Sequence, residues 1–241
     1  MYSRTARPKR CAARTSVALD ALVARHDLDA VAHYYKGSGN AANEDTMSSI
    51  VLGTSLLTAR HIPVAGEYEV KNGIAMKIMD CLGADGSFTE YNAMNFNDDL
   101  VLMGHDGPGH IAITEGKTKM RLLKIYHGKV RRGLSVEMSV KYGPVTLLSV
   151  VEDAASRFKL LAAEGESVPG TILEIGNTNS RYRFPLGARI CGGLECKVQR
   201  IIARSAWATW PPCCARRRRS YALGSIRCAK GRFQPWIVAG A

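Results

Sequence analysis

Glu90, Asp106 and His127 each close an apolar run beside residues that tighten the backbone, in "SFTEYNAM", "LVLMGHDGPGH" and "KIYHGK". Two carboxylates and an imidazole form a mixed oxygen–nitrogen donor set, suited to Mn, Mg or Fe rather than to structural zinc. Each of the three also reads as an ordinary solvated strand end. His105 and His110 flank the same Gly-Pro-Gly turn, one as a supporting partner of such a site and the other as a surface residue. Two further groups carry polar chemistry. Glu67, Glu69 and Lys71 in "GEYEVKN" crowd a helix start, where the dipole alone favours acids. Asn177, Asn179, Arg181 and Arg183 in "GNTNSRYRF" could hydrogen-bond a polyol, or serve as turn residues before an exposed strand face.

The elements that would position these residues fall into two textures. From 17 to 97, helical and extended patterns alternate, as in an α/β fold. Val17, Leu19, Leu22 and Val23 recur at helical spacing, and "LDAVAHYY" follows as a strand. "GSGNAANEDT" is a polar turn that leads into an apolar helix from about Met47 to Ala59. "EVKNGIAMKIMDCLG" predicts a helix with Val70, Ile74, Ile78 and Met79 on its apolar face and Gly83 as its stop. From 98 to 189, short strands separated by Gly, Pro and charged turns predict a mostly antiparallel, β-barrel-like domain. "GLSVEMSVKYGPVTLLSVV" reads there as a hairpin about Gly143-Pro144. Residues 1–16 read as an irregular basic segment, and 190–241 follow neither periodicity.

The net charge of +12 invites a nucleic-acid reading, but its distribution argues against one. Residues 1–14 hold five Lys or Arg and no acid, and residues 190–241 hold ten against Glu195 alone. The stretch 15–189 is left with 18 basic and 20 acidic residues, so no basic surface belongs to the body. Five of the seven cysteines also fall after position 190, at spacings that match no zinc signature. No apolar run is long enough for a membrane helix, and the basic start has no apolar segment behind it to make a secretory signal. A cytoplasmic protein without nucleic-acid or membrane partners is expected.

At "IPVAGEYEVKNGIAMKIMD" and "GSFTEYNAMNFNDDLVLMGHDGPGHIAI" the chain resembles the L-arabinose and L-fucose isomerase superfamily. "YGPVTLLSVV" and "AEGESVPGTILEIGNTNSRYRF" extend the resemblance over roughly 17–189. It implies an aldose–ketose isomerase, an α/β segment joined to the family's barrel-like C-terminal domain, and a divalent metal, usually Mn²⁺. It also implies a small sugar as substrate and assembly as a trimer or hexamer. Glu90 matches the carboxylate of the family's "SF-x-E" strand, and Asp106 best matches the second carboxylate. Arabinose isomerases proper have a glutamate where this chain has Pro108. His127 matches a metal histidine. The resemblance makes Glu90 and Asp106 the catalytic pair, with Asn177, Asn179 and Arg181 as sugar contacts. The residue types suit that chemistry: one carboxylate takes a proton from carbon and its partner supplies the acid, while a metal polarises the carbonyl. A different reading is a non-catalytic carbohydrate-binding domain built on the Asn/Arg segment.

The chain departs from the family in two places. The family's enzymes carry a Rossmann-like domain ahead of the part seen here. They also hold a final metal histidine in a "GPAHHCAVGVGH" segment, whereas no histidine follows His127 in this chain. The tail offers a reason. Codons allowed for residues 197–214, "KVQRIIARSAWATWPPCC", spell "GPAHHCAVGVGHVAAML" when read from the last base of the lysine codon. "ICGGLEC" shifted by one base can likewise spell "FVVAWNA". Small insertions or deletions near Ile190 and Lys197 would therefore put a family C-terminus out of frame and produce its Arg, Trp and Cys excess.

Overall fold

The computed structural model describes residues 6–34, 40–122, 125–126, 129–130, 133–152, 154–171, 178–184, 200–203 and 238–239. Its first half is α/β. Helix α1 (Ala6–His26) leads to strand β1 (Val31–His33), helix α2 (Ala41–Thr58), strand β2 (Val64–Ala65) and helix α3 (Val70–Cys81). β1 pairs in parallel with β2, Val31 opposite Val64 and Ala32 opposite Ala65. α1 corrects the expectation of an irregular 1–16. Its basic residues are good helix formers that leave the charges in solvent, while Ala12 and Leu19 turn inward.

α2 starts earlier than its apolar run, at a turn where Asn40 Oδ1 accepts the Asn43 N–H at 3.3 Å. Much of its buried surface is hydroxylic: Ser48, Ser49, Thr54, Ser55 and Thr58 are all buried. Each hydroxyl donates to a carbonyl three or four residues back, as Thr54 does to Ile50 and Val51 at 3.0 Å. Burial therefore leaves no unsatisfied donor there. Small side chains also let α1 and α2 approach closely. A Cβ on Gly53 would sit 2.7 Å from Leu19 Cδ1 and 2.9 Å from Ser16 Cα.

The second half is a run of strands: β3 (Gly86–Asn95), β4 (Leu100–His105), β5 (Lys119–Leu122), β6 (Ile125–Tyr126), β7 (Lys129–Val130), β8 (Leu134–Glu137), β9 (Gly143–Glu152), β10 (Phe158–Val168) and β11 (Thr178–Arg183). Five of them form an antiparallel sheet in the order β9-β10-β11-β4-β3. The barrel-like expectation is thus met in its coarser form, an antiparallel sheet beside an α/β segment. Strand β12 (Arg200–Ala203) lies between the two outer strands, antiparallel to β3 and β9, and β13 (Val238–Ala239) pairs with β1. The remainder of 190–241 lies outside the described residues.

The expected hairpin about Gly143-Pro144 does not form. β8 pairs with β5, and β9 pairs with β10 from Glu152–Phe158 back to Gly143–Ser167. The chain between β8 and β9 is drawn elsewhere, because the Val140 N–H donates to Ser180 Oγ at 2.8 Å and the Lys141 N–H to Ile113 O at 2.8 Å. One core, centred on Met103, Val136, Met138, Leu147 and Tyr182, fills the sheet interior. A second packs α3, through Ala75, Met76, Ile78 and Met79, onto Phe88, Leu148 and Val150. α3 forms where expected and ends before Gly83, which has φ +75°. Among the described residues no helix is long and apolar enough to cross a membrane.

Candidate metal centre

Three side chains from distant parts of the sequence meet where the α/β segment joins the sheet. Glu67, Glu90 and His105 each place one oxygen or nitrogen within 4.8 Å of the others. Glu90 is carried by β3, opposite Gly104 of β4, and His105 is the last residue of β4. Glu67 comes from the turn between β2 and α3.

That turn is built in an unusual conformation. Glu67 and Tyr68 both have positive φ, 58° and 57°, a region that residues with a Cβ seldom occupy. The Tyr68 N–H donates to His33 O at 3.0 Å and the Glu69 N–H to Gly66 O at 2.9 Å, which holds the turn against β1. Tyr68 stacks on Tyr34, with ring centroids 5.0 Å apart. Glu69 occupies the N-terminal cap position of α3, without a side-chain capping bond. Burial pushes its carboxyl up, and Lys71 partly offsets this. Of the acids in "GEYEVKN", Glu67 is the one that enters the cluster.

His105 is fixed from several sides. Its ring meets Phe88 edge to face, with centroids 4.4 Å apart. Its backbone N–H donates to Thr178 Oγ1 at 3.1 Å, and that hydroxyl donates back to His105 O at 3.1 Å. Two glycines make room for the imidazole. A Cβ on Gly107 would lie 2.2 Å from His105 Cε1, and one on Gly66 would lie 3.0 Å from the same atom. The Gly107 N–H donates to His105 Nδ1 at 3.0 Å. An Nδ1 that accepts leaves the ring proton on Nε2. In that tautomer His105 is a donor toward a carboxylate or a sugar oxygen. It becomes a metal ligand through Nε2 only if the proton moves to Nδ1 and the Gly107 bond is lost.

A hard divalent cation fits Glu67 and Glu90, because both are carboxylates and oxygen donors are what Mn²⁺ and Mg²⁺ select. The structure divides the residues singled out from sequence. Glu90 belongs to the cluster. Asp106 is half-buried and is not part of that group, because the turn directs His105 there instead. His127 and Asn177 lie outside the described residues. Asn179 is buried and faces Gly104 across β11–β4, level with Glu90 one strand further. Arg181 Nη1 donates to Thr171 O at 2.6 Å, and a Cβ on Gly170 would lie 2.2 Å from that nitrogen. Arg183 is exposed at the end of β11. Sequence reasoning noted Glu67 and His105 separately and could not join them, since only the positive-φ turn and the strand register do so. A small cavity in the sheet interior, lined by Phe88, Met103, Thr178 and Asn179, lies beside this cluster but contains none of its three members.

No protein-family model matches the chain, and no curated protein matches it.

Proposed function

We propose that this chain derives from a metal-dependent aldose–ketose isomerase of the L-arabinose and L-fucose type, impaired here by its altered C-terminus. The observation that supports the reading most is the convergence of Glu67, Glu90 and His105, which adds a second carboxylate to the strand-borne Glu90. Interconverting an aldose and a ketose moves one proton from C2 to C1 and one between the two oxygens, with no net change in oxidation state. Glu90, as carboxylate, takes the proton from carbon and returns it to the neighbouring carbon. The Nε2–H of His105 donates to the substrate oxygen on which charge develops. Glu67 and Glu90 would hold the cation, and when bound it would polarise the carbonyl and stabilise the enediolate. Asn179, level with Glu90, is the residue best placed to contact a sugar hydroxyl.

The test is Mn²⁺-dependent ketose formation from L-arabinose or L-fucose, first with this chain and then with one carrying the restored histidine segment and the Rossmann-like domain. Weak or no turnover is expected from the first and clear turnover from the second. In the restored enzyme, Glu90→Gln should lower the rate by about 100-fold or more, the usual loss of a positioned general base. A restored chain that isomerises no aldose would exclude the assignment. Sugar binding unchanged by a chelator would favour the carbohydrate-binding domain instead.

A further inference from the structure

A second group of titratable side chains lies apart from Glu67, Glu90 and His105, where α2, α3 and the Gly-Pro-Gly turn meet. His61 Nδ1 is 3.7 Å from Asp80 Oδ1 and 3.7 Å from Asp85 Oδ1. His110 Nε2 is 3.6 Å from the same Asp85 oxygen. None of these separations is a hydrogen bond. The two His61 separations are close to the roughly 3.4 Å edge of a tetrahedron whose metal–ligand bonds are roughly 2.1 Å long, as for zinc with nitrogen and oxygen donors, and donor atoms of His61, Asp80 and Asp85 all lie within 4.8 Å of one another.

Burial makes the arrangement unusual. The His110 side chain is 1% exposed and that of Asp80 is 7% exposed. Both ring nitrogens of His110, and Oδ2 of Asp80, have no hydrogen-bond partner among the described residues. Buried polar atoms are rarely left in that state, and an ion is one of the standard explanations. Burial pushes the Asp80 carboxyl up to about 6 and the His110 imidazole down. Lys77, whose charge also reaches Asp80, is engaged by His61 O at 3.0 Å and by Asp29 at 3.8 Å.

The backbone holds these groups in place. His61 has φ +65°, just after the end of α2. Asp80 belongs to the last turn of α3, at the negative end of its dipole, which favours a cation. The Gly109 N–H donates to Ser55 Oγ at 3.1 Å and the His110 N–H to Ser87 Oγ at 3.2 Å, which pins the turn that carries His110. His61 and Asp85 are partly exposed, at 52% and 37%, and leave a path from solvent.

We propose that His61, Asp80 and Asp85, whose donor atoms all lie within 4.8 Å of one another, form a divalent transition-metal site that takes zinc by preference, with water as its fourth ligand and His110 beside Asp85. An imidazole, two carboxylates and a water suit Zn²⁺ or Co²⁺ in four-coordinate geometry better than Mg²⁺ or Ca²⁺. The site ties the end of α2 to the end of α3 and to the start of β3, so its cation would be structural.

The experiment uses the full chain with Co²⁺ as a spectroscopic probe and Zn²⁺ as its competitor. With excess Mg²⁺ present to occupy the carboxylates Glu67 and Glu90, one equivalent of Co²⁺ with the intense visible absorption of a tetrahedral centre, displaced by Zn²⁺, is expected. His61→Ala removes an exposed side chain and leaves the core intact, and Asp85→Asn preserves shape. Each should weaken Zn²⁺ binding by about ten-fold or more, while Glu90→Gln leaves it unchanged. Binding that persists in both His61→Ala and Asp85→Asn, including thiolate-type Co²⁺ absorption from the tail cysteines, would overturn the proposal. So would Zn²⁺ binding lost with Glu90→Gln, or an octahedral spectrum in the unaltered chain.

Discussion

Glu67 reaches the candidate metal centre at a conformational cost. A left-handed backbone disfavours a residue with a Cβ by roughly 1 kcal/mol or more, and two such residues follow one another at Glu67 and Tyr68. Strain of this kind persists where surrounding contacts enforce it, and here the His33 carbonyl and the Tyr34 ring do so. Glu67→Gly should therefore raise stability by up to about 1 kcal/mol in urea unfolding while weakening Mn²⁺ binding. A variant that is both less stable and unaltered in Mn²⁺ affinity would show that Glu67 is placed for packing alone. At this scale the sequence was partly legible. Glu90 stood out because an acid closes the apolar run of "SF-x-E", although β3 itself continues past it to Asn95. Asp106 stood out for the same reason, yet the glycines at 66 and 107 admit the His105 ring and it is His105 that joins Glu90. Nothing local in "GHDGPGH" distinguishes those outcomes.

The elements show which patterns carry information. α3 was readable because Ile74, Ile78 and Met79 follow the helical period and Gly83 ends it in a positive-φ residue. α1 begins eleven residues before its apolar period does, since exposed Arg and Lys continue a helix without leaving a hydrophobic trace. The hairpin at Gly143-Pro144 failed for a tertiary reason. Every residue of β8 is buried, so alternation gave no register, and Ser180 and Ile113 capture the chain before it can turn back. Packing between α1 and α2 yields a prediction at this scale. Gly53→Ala places a Cβ against Leu19 and Ser16, and should destabilise by about 1–3 kcal/mol through overpacking, measured as a lower urea midpoint. An unchanged midpoint would mean that α1 shifts freely on α2.

For the molecule as a whole, one buried histidine sets a pH limit. His33 is 6% exposed, neither ring nitrogen has a hydrogen-bond partner among the described residues, and burial lowers its pKa to about 4 from 6.5. Between those values the unfolded chain binds the proton and the folded chain does not, so unfolding is favoured as pH falls. Stability from this group is complete above pH 6.5 and is lost progressively toward pH 4, by roughly 3 kcal/mol in total. Urea unfolding between pH 7.5 and 4.5 should show this decline, and His33→Leu should flatten it. An equally steep decline in the variant would assign the acid sensitivity to other groups.

The isomerase reading depends on the origin of residues 190–241, since the final metal histidine would reside there. The most direct test is the nucleotide sequence across residues 190–214. The account predicts that the frame beginning at the last base of the Lys197 codon reads "GPAHHCAVGVGHVAAML". Any other reading of that frame would make the Cys- and Arg-rich tail a native segment and would contradict descent from an isomerase whose C-terminus was shifted.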